Sequence, residues 1–217
     1  MLAGGAVELA KEFGGLRFPC WTGHLSTFRE IFKSVPEIML VPVRDEHEMF
    51  ALQRLMILTG IYKYPYEHWR HSIDLDQWRD GPPTDVHFYE QIGVPIDKKW
   101  ESFPWRYEGP GPKYDDKPYI FVHDDAARGY IMDLDRIGRN WTQDMMVCPD
   151  RDFLRPITAY ADQLMGAHEI HCINSCFPWF CEFLPLPVNQ RRFLHRYARP
   201  YRNCDIYDWR HHWIVLD

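Results

Sequence analysis

The sequence predicts an α/β protein in which two halves, each with a parallel sheet and crossover helices, face one another across a cleft. Three observations lead there. Helix-like and strand-like segments alternate from Gly4 to Tyr64, as parallel sheets require, because each crossover needs a helix's length of chain. The alternation resumes after Lys117. Between the two runs lies Glu108 to Lys117, a Gly/Pro/charge stretch without core-forming residues, which reads as a linker. Residues 1–112 and 113–217 are assigned accordingly as two domains.

The elements of the first half follow in order. Gly4–Phe13 reads as a helix, with Ala6, Val7, Leu9, Ala10 and Phe13 on its apolar face and Gly14-Gly15 as its stop. Leu16–Trp21 is a strand whose Pro19 marks an end or an edge. Ser26 caps a helix running to Phe32, and Ile38–Val43 is the next strand. Asp45 caps a helix over Glu46–Leu58, Gly60 closes it, and Ile61–Tyr64 is a short strand. Such a unit normally opens on a strand, and Met1–Ala3 is too short for one, so a truncated or absent first strand is expected. The segment from Tyr66 to Gly81 is rich in aromatic residues and His with little period. Thr84–Gln91 is helical up to Gly93-Val94-Pro95, and Lys98–Trp105 continues with aromatic residues read as exposed.

In the second half, Pro118–His123 is a strand and Asp124–Gly129 a polar turn. Tyr130–Met132 returns to strand, Met145–Val147 is another, and Pro156–Met165 is a helix. Gly166–Phe183 (GAHEIHCINSCFPWFCEF) carries the most information. Its Glu169–Ile173 alternates apolar residues as a buried strand. Asn174 and Ser175 are N-cap residues, and Pro178 suits an early helical position. A strand that runs into a helix this way presents N–H groups at the sheet's carboxyl edge, where α/β proteins bind phosphates. A purely capping role for Asn174 and Ser175 is the alternative. Asn189–Tyr197 reads as a basic helix, and Trp209–Leu216 as a terminal segment packing back on the body.

Composition narrows the function. A net charge of −6 argues against a nucleic-acid surface, which would be basic. No apolar run reaches membrane-spanning length, and no secretory leader is expected. The six Cys form no CxxC pair and read as free thiols of a reducing, cytoplasmic compartment. Nine Trp and twelve Tyr leave aromatic residues for a cleft, and Trp69, Trp78 and Trp105 are candidates for stacking on sugar rings there, with filling a loop-rich core as the alternative.

Three features point into the expected cleft: the Asn174-Ser175 helix start, the His123-Asp124-Asp125…Arg128 turn, and the run Arg191-Arg192…His195-Arg196. The combination PYIFVHDDAARGY (Pro118–Tyr130) with ITAYADQLMGAHEIHCINSCF (Ile157–Phe177) resembles the carboxyl half of GT-B-type glycosyltransferases. The closest likeness is to small bacterial, phage and algal-virus members related to heptosyltransferases. GGAVELA (Gly4–Ala10), LRFPCW (Leu16–Trp21) and IMLVPVRDEHE (Ile38–Glu48) resemble their amino half.

The resemblance implies two Rossmann-like domains, a nucleotide-sugar donor held mainly by the second, and a glycan or other hydroxyl acceptor on the first. The donor diphosphate would lie on Asn174, Ser175 and Cys176, assisted by Arg128 with His123 and Asp124 beside it. No cofactor or metal is implied, because basic side chains and the helix start would neutralise the leaving diphosphate. In one respect the chain departs from the pattern of the family it resembles. The family's Gly-Asp pair, whose carboxylate is the candidate base, would fall before Met1. Either the true start lies upstream, or the chain is inactive, or another base serves, for which the candidates are Asp45, Glu46 and His24. A nucleotide- or sugar-binding module without chemistry is the alternative function. An NAD-type oxidoreductase is disfavoured because no GxGxxG follows a strand.

Overall fold

The computed structural model describes residues 3–44, 47–48, 84–111, 118–137, 142, 145–149, 155–199 and 208–217. The chain is a mixed α/β protein with two parallel sheets among the described residues. It forms two compact units that change over between Trp105 and Arg106, with Arg155 and Pro156 counted to the first. Met1 and Leu2, Asp45 and Glu46, most of the helix expected over Glu46–Leu58, the strand at Ile61–Tyr64, and Trp69 and Trp78 lie outside the described residues, as do residues 112–117 of the expected linker.

In the first unit, α1 (Ala3–Phe13) leads into β1 (Leu16–Trp21), α2 (Leu25–Ile31) and β2 (Ile38–Val43). The strands pair in parallel from Leu16↔Ile38 to Trp21↔Val43, so β1–α2–β2 is a crossover unit. Phe18 of β1 packs against Phe28 and Phe32 at centroid distances of 5.1 and 5.4 Å, which fixes α2 on the strand. Ser26 does not cap α2. A 3-10 turn, Thr22–His24, precedes it, and His24 occupies the cap position without a side-chain bond. The Ser26 hydroxyl is buried inside the helix and unpaired. Local sequence marks a start signal at Ser26, but the helix opens at Leu25, continuous with the preceding 3-10 turn.

Helices α3 (Thr84–Ile92) and α4 (Lys98–Glu101) complete the described part of this unit. Leu9, Tyr89 and Val94 share a core cluster, and the Gly5 N–H donates to the buried Tyr89 hydroxyl at 2.9 Å. Asp85 and Lys99 form a buried ion pair at 2.5 Å, and the Lys99 ammonium lies 4.1 Å from the Trp100 ring centroid. Trp105 is buried, not exposed for a groove.

The second unit carries β3 (Ile120–His123), β4 (Met146–Val147), α5 (Ala161–Gly166), β5 (Glu169–Ile173), α6 (Cys176–Cys181), β6 (Arg191–His195) and β7 (Ile214–Leu216). All pairings are parallel, in the order β4-β3-β5-β6-β7. The segment Arg191–His195 is therefore a strand, not the expected basic helix. Gln, Arg and Leu favour helices in isolation, but the open edge of β5 captures the segment, and Arg192, Phe193, Leu194 and His195 are all buried. Tyr130–Met132 is not a strand either. Tyr130 makes a single antiparallel bridge to Asp125, closing a tight turn. The helix expected from Pro156 begins as a 3-10 turn, Ile157–Tyr160, before α5. The terminal segment packs back as expected, supplying β7.

The two faces of this sheet differ. On one, Phe121, Tyr160 and Phe177 form an aromatic cluster. On the other, Ile120, Val122, Met132 and Ile173 pack together. That second face also carries a buried polar line along β5 and β6. Arg191 Nη1 donates to Glu169 at 3.2 Å, and Glu169 lies 3.3 Å from His171 Nε2. His171 Nδ1 meets His195 Nε2 at 3.1 Å, and His195 Nδ1 meets the Tyr197 hydroxyl at 3.1 Å. Strands buried on both faces are ordinarily apolar throughout. Here each polar group finds a partner, as burial demands.

Candidate functional site at the carboxyl edge of the second sheet

The strand order of the second unit creates the site. Counted from β3, the chain places its strands second-first-third-fourth-fifth. The chain leaves β3 for one neighbour, β4, and returns on the other side as β5. In open α/β sheets such a reversal leaves a crevice outside the strands' carboxyl ends, and ligands bind there. The residues at that point are His123, ending β3, and Asn174 and Ser175, directly following β5.

Ser175 has an extended backbone and caps α6, its Oγ accepting the Phe177 N–H at 3.3 Å. The same oxygen lies 3.1 Å from His123 Nδ1, so one side-chain bond ties the ends of β3 and β5 together. The His123 ring packs on Phe177 at 4.3 Å between centroids. Burial pushes the imidazole down to about 4, the Arg199 charge acts the same way, and Asp125 opposes both. His123 is therefore neutral at pH 7. With Ser175 it forms a donor–acceptor pair without net charge.

Asn174 is buried, and its carbonyl oxygen accepts Arg199 Nη1 at 2.9 Å. Cys176 is exposed at the first position of α6. The loop after β3 makes a 3-10 turn, Ala126–Arg128, closed by Gly129 at φ 79°, a left-handed conformation that glycine adopts at no steric cost. Arg128 on this turn is 69% exposed and pairs with Asp125 at 3.2 Å, while Asp124 is half-buried. In the first unit His24 is exposed at the carboxyl end of β1. The structure thus brings His123, Asn174 and Ser175 together. Asp125 holds Arg128.

Two participants escaped the sequence reading: Arg199, and Tyr130, whose ring lies 5.3 Å beneath the Arg199 guanidinium. Sequence carries little signal for them, because Arg199 meets Asn174 and Tyr130 only through tertiary contacts. The polar line of Glu169, His171 and His195 was legible in principle, since EIH places Glu169 and His171, and RRFLH places Arg191 and His195, on one face at strand period.

Among the described residues, no group of three or more His, Cys, Asp and Glu is placed to hold a metal ion. None of their helices is long and apolar enough to cross a membrane. The five cysteines among them are free thiols. Compared with protein-family models, curated proteins and solved structures, the chain matches none.

Proposed function

We propose that the chain is a glycosyltransferase that takes its nucleotide-sugar donor at the switch point of the second sheet. The observation that carries this reading is the 3.1 Å contact between Ser175 Oγ and His123 Nδ1, which places polar side chains where such sheets receive phosphorylated ligands. The two-domain arrangement with an acceptor-side cleft, independence of metal, and a cytoplasmic setting belong to the same proposal. The six-residue α6 contributes only a weak end-field, so side chains and backbone N–H groups around Ser175 carry the binding.

A second reading has its own support. A nucleotide- or sugar-binding module without chemistry needs no base. His123 is pushed to about 4, too low for efficient proton abstraction at neutral pH. His24 is exposed, with no partner orienting it among the described residues.

Calorimetric titration with UDP, GDP, ADP and NAD, followed by a transfer assay with the corresponding nucleotide sugars in the presence and absence of EDTA, separates the two. Binding of one diphosphate with sugar release supports the transferase, and binding without turnover supports the module. Ser175→Trp should abolish binding by filling the crevice. Full affinity in that variant would place the ligand elsewhere.

A further inference from the structure

We propose that Arg199 is the anion anchor of this crevice and that its ligand is a phosphate-ester or diphosphate group. This rests on the switch-point reading of the site, and it assigns the positive charge to a residue outside the strand–turn motifs.

Most of the described arginines on the carboxyl edge are paired with carboxylates. Arg128 is paired with Asp125 at 3.2 Å. Arg136 has Asp133 at 3.8 Å, and Arg196 holds the Asp217 carboxylate with two bonds of 2.5 and 2.8 Å. Among the described residues, Arg199 alone on this edge has no carboxylate partner. Its Nη1 donates to the Asn174 carbonyl at 2.9 Å and its guanidinium stacks over Tyr130, while its backbone N–H closes a turn onto Arg196.

These contacts have a physical consequence. The guanidinium is half-buried and held on two sides, so its orientation is fixed before any ligand arrives. Preorganisation of this kind lowers the entropic cost of binding. One N–H is spent on a neutral carbonyl. An arginine has five N–H donors in a planar fork that matches phosphate oxygens, so those left over are available to an anion. The bond to Asn174 places the charge beside the backbone that leads into Ser175. The charge also reaches His123, where it acts with burial, the main cause of that ring's neutrality, and against Asp125.

Arg128 has the opposite character. It is exposed, and Asp125 cancels its charge, so its removal should matter little. The two arginines therefore make different predictions for one measurement.

The test is titration of the full chain with inorganic pyrophosphate and with the four nucleotides. Arg199→Gln should weaken pyrophosphate affinity by about tenfold to a hundredfold, and Arg199→Lys, which keeps the charge and loses the fork, by an intermediate factor. Arg128→Gln should change it by less than about threefold. The wild-type affinity should also fall with added salt. If Arg199→Gln does not fold, the ratio of the Arg199→Lys effect to the Arg128→Gln effect decides, and a ratio at or below one overturns the proposal. Pyrophosphate binding that is unchanged in Arg199→Gln, or absent from the wild type, overturns it too. Nucleotide binding that survives Arg199→Gln leaves the functional reading standing without this anchor. Pyrophosphate binding lost in Arg199→Gln, with no nucleotide bound by the wild type, confirms the anchor and removes the nucleotide.

Discussion

Buried histidines set the acid limit of the fold. His123 and His195 are both pushed down to about 4, chiefly by burial, and His211 is shifted in the same direction. Each folds as the neutral form. In the unfolded chain they titrate near 6.5, so below that pH the unfolded state binds more protons and stability falls. The contribution of His123 and His195 is complete above about pH 6.5 and is lost as pH drops through their folded values near 4. The carboxyls of Glu8 and Asp217, held below their ordinary range by hydrogen bonds from Lys11 and Arg196, act lower still. The urea midpoint should therefore decline steadily from pH 6.5 to 4. His195→Gln should flatten that slope, and an unchanged slope would show that His195 is not neutral in the folded protein.

At the scale of elements, Glu182 decides whether β7 joins the sheet. It is buried at the end of α6, and its carboxylate accepts the Arg210 N–H at 2.5 Å, the His211 N–H at 3.1 Å and Trp213 Nε1–H at 2.7 Å. Glu182→Ala should cost about 2–4 kcal/mol, because each buried donor left unpaired costs about 1–3 kcal/mol and some regain water. Hydrogen exchange over residues 208–217 should accelerate most. Gly4 plays the corresponding part for α1. A Cβ there would lie 2.4 Å from the Lys98 carbonyl oxygen, which is backbone and cannot swing away. At Gly5 it would meet the mobile tip of Ile92. Gly4→Ala should therefore lower stability by about 1–3 kcal/mol, and Gly5→Ala by clearly less. Equal thermal midpoints for the two would refute the close approach of α1 and α4.

At the scale of the whole molecule, the described strands of the second sheet all belong to the second unit. Their buried residues, from Ile120 and Phe121 through Ile170 and Cys172 to Phe193 and Leu194, form its interior. A fragment of residues 106–217 should then unfold cooperatively, with its slowest amide exchange in β5 and β6. A fragment without slow amides would mean that the sheet depends on the first unit.

The sequence by itself determined the class and several elements to the residue. Leu16–Trp21, Ile38–Val43 and Glu169–Ile173 are strands because β-branched, apolar and aromatic content, bounded by Gly or by cap residues, leaves the backbone few alternatives. It also located His123, Asn174 and Ser175 at strand ends, since chain order alone puts a strand's last residue at the sheet's carboxyl edge. The tertiary structure decided the rest. Arg191–His195 has helical propensity and becomes a strand because β5 offers unpaired backbone groups and a buried face, and tertiary burial outweighs propensities of a few tenths of a kcal/mol per residue. The choice between Arg128 and Arg199 belongs to the same level. Both are arginines near a strand end, and only folding shows that one meets a carboxylate and the other a carbonyl oxygen and an aromatic ring. Charge compensation depends on which groups lie within a few ångströms, and residues far apart in sequence set those distances.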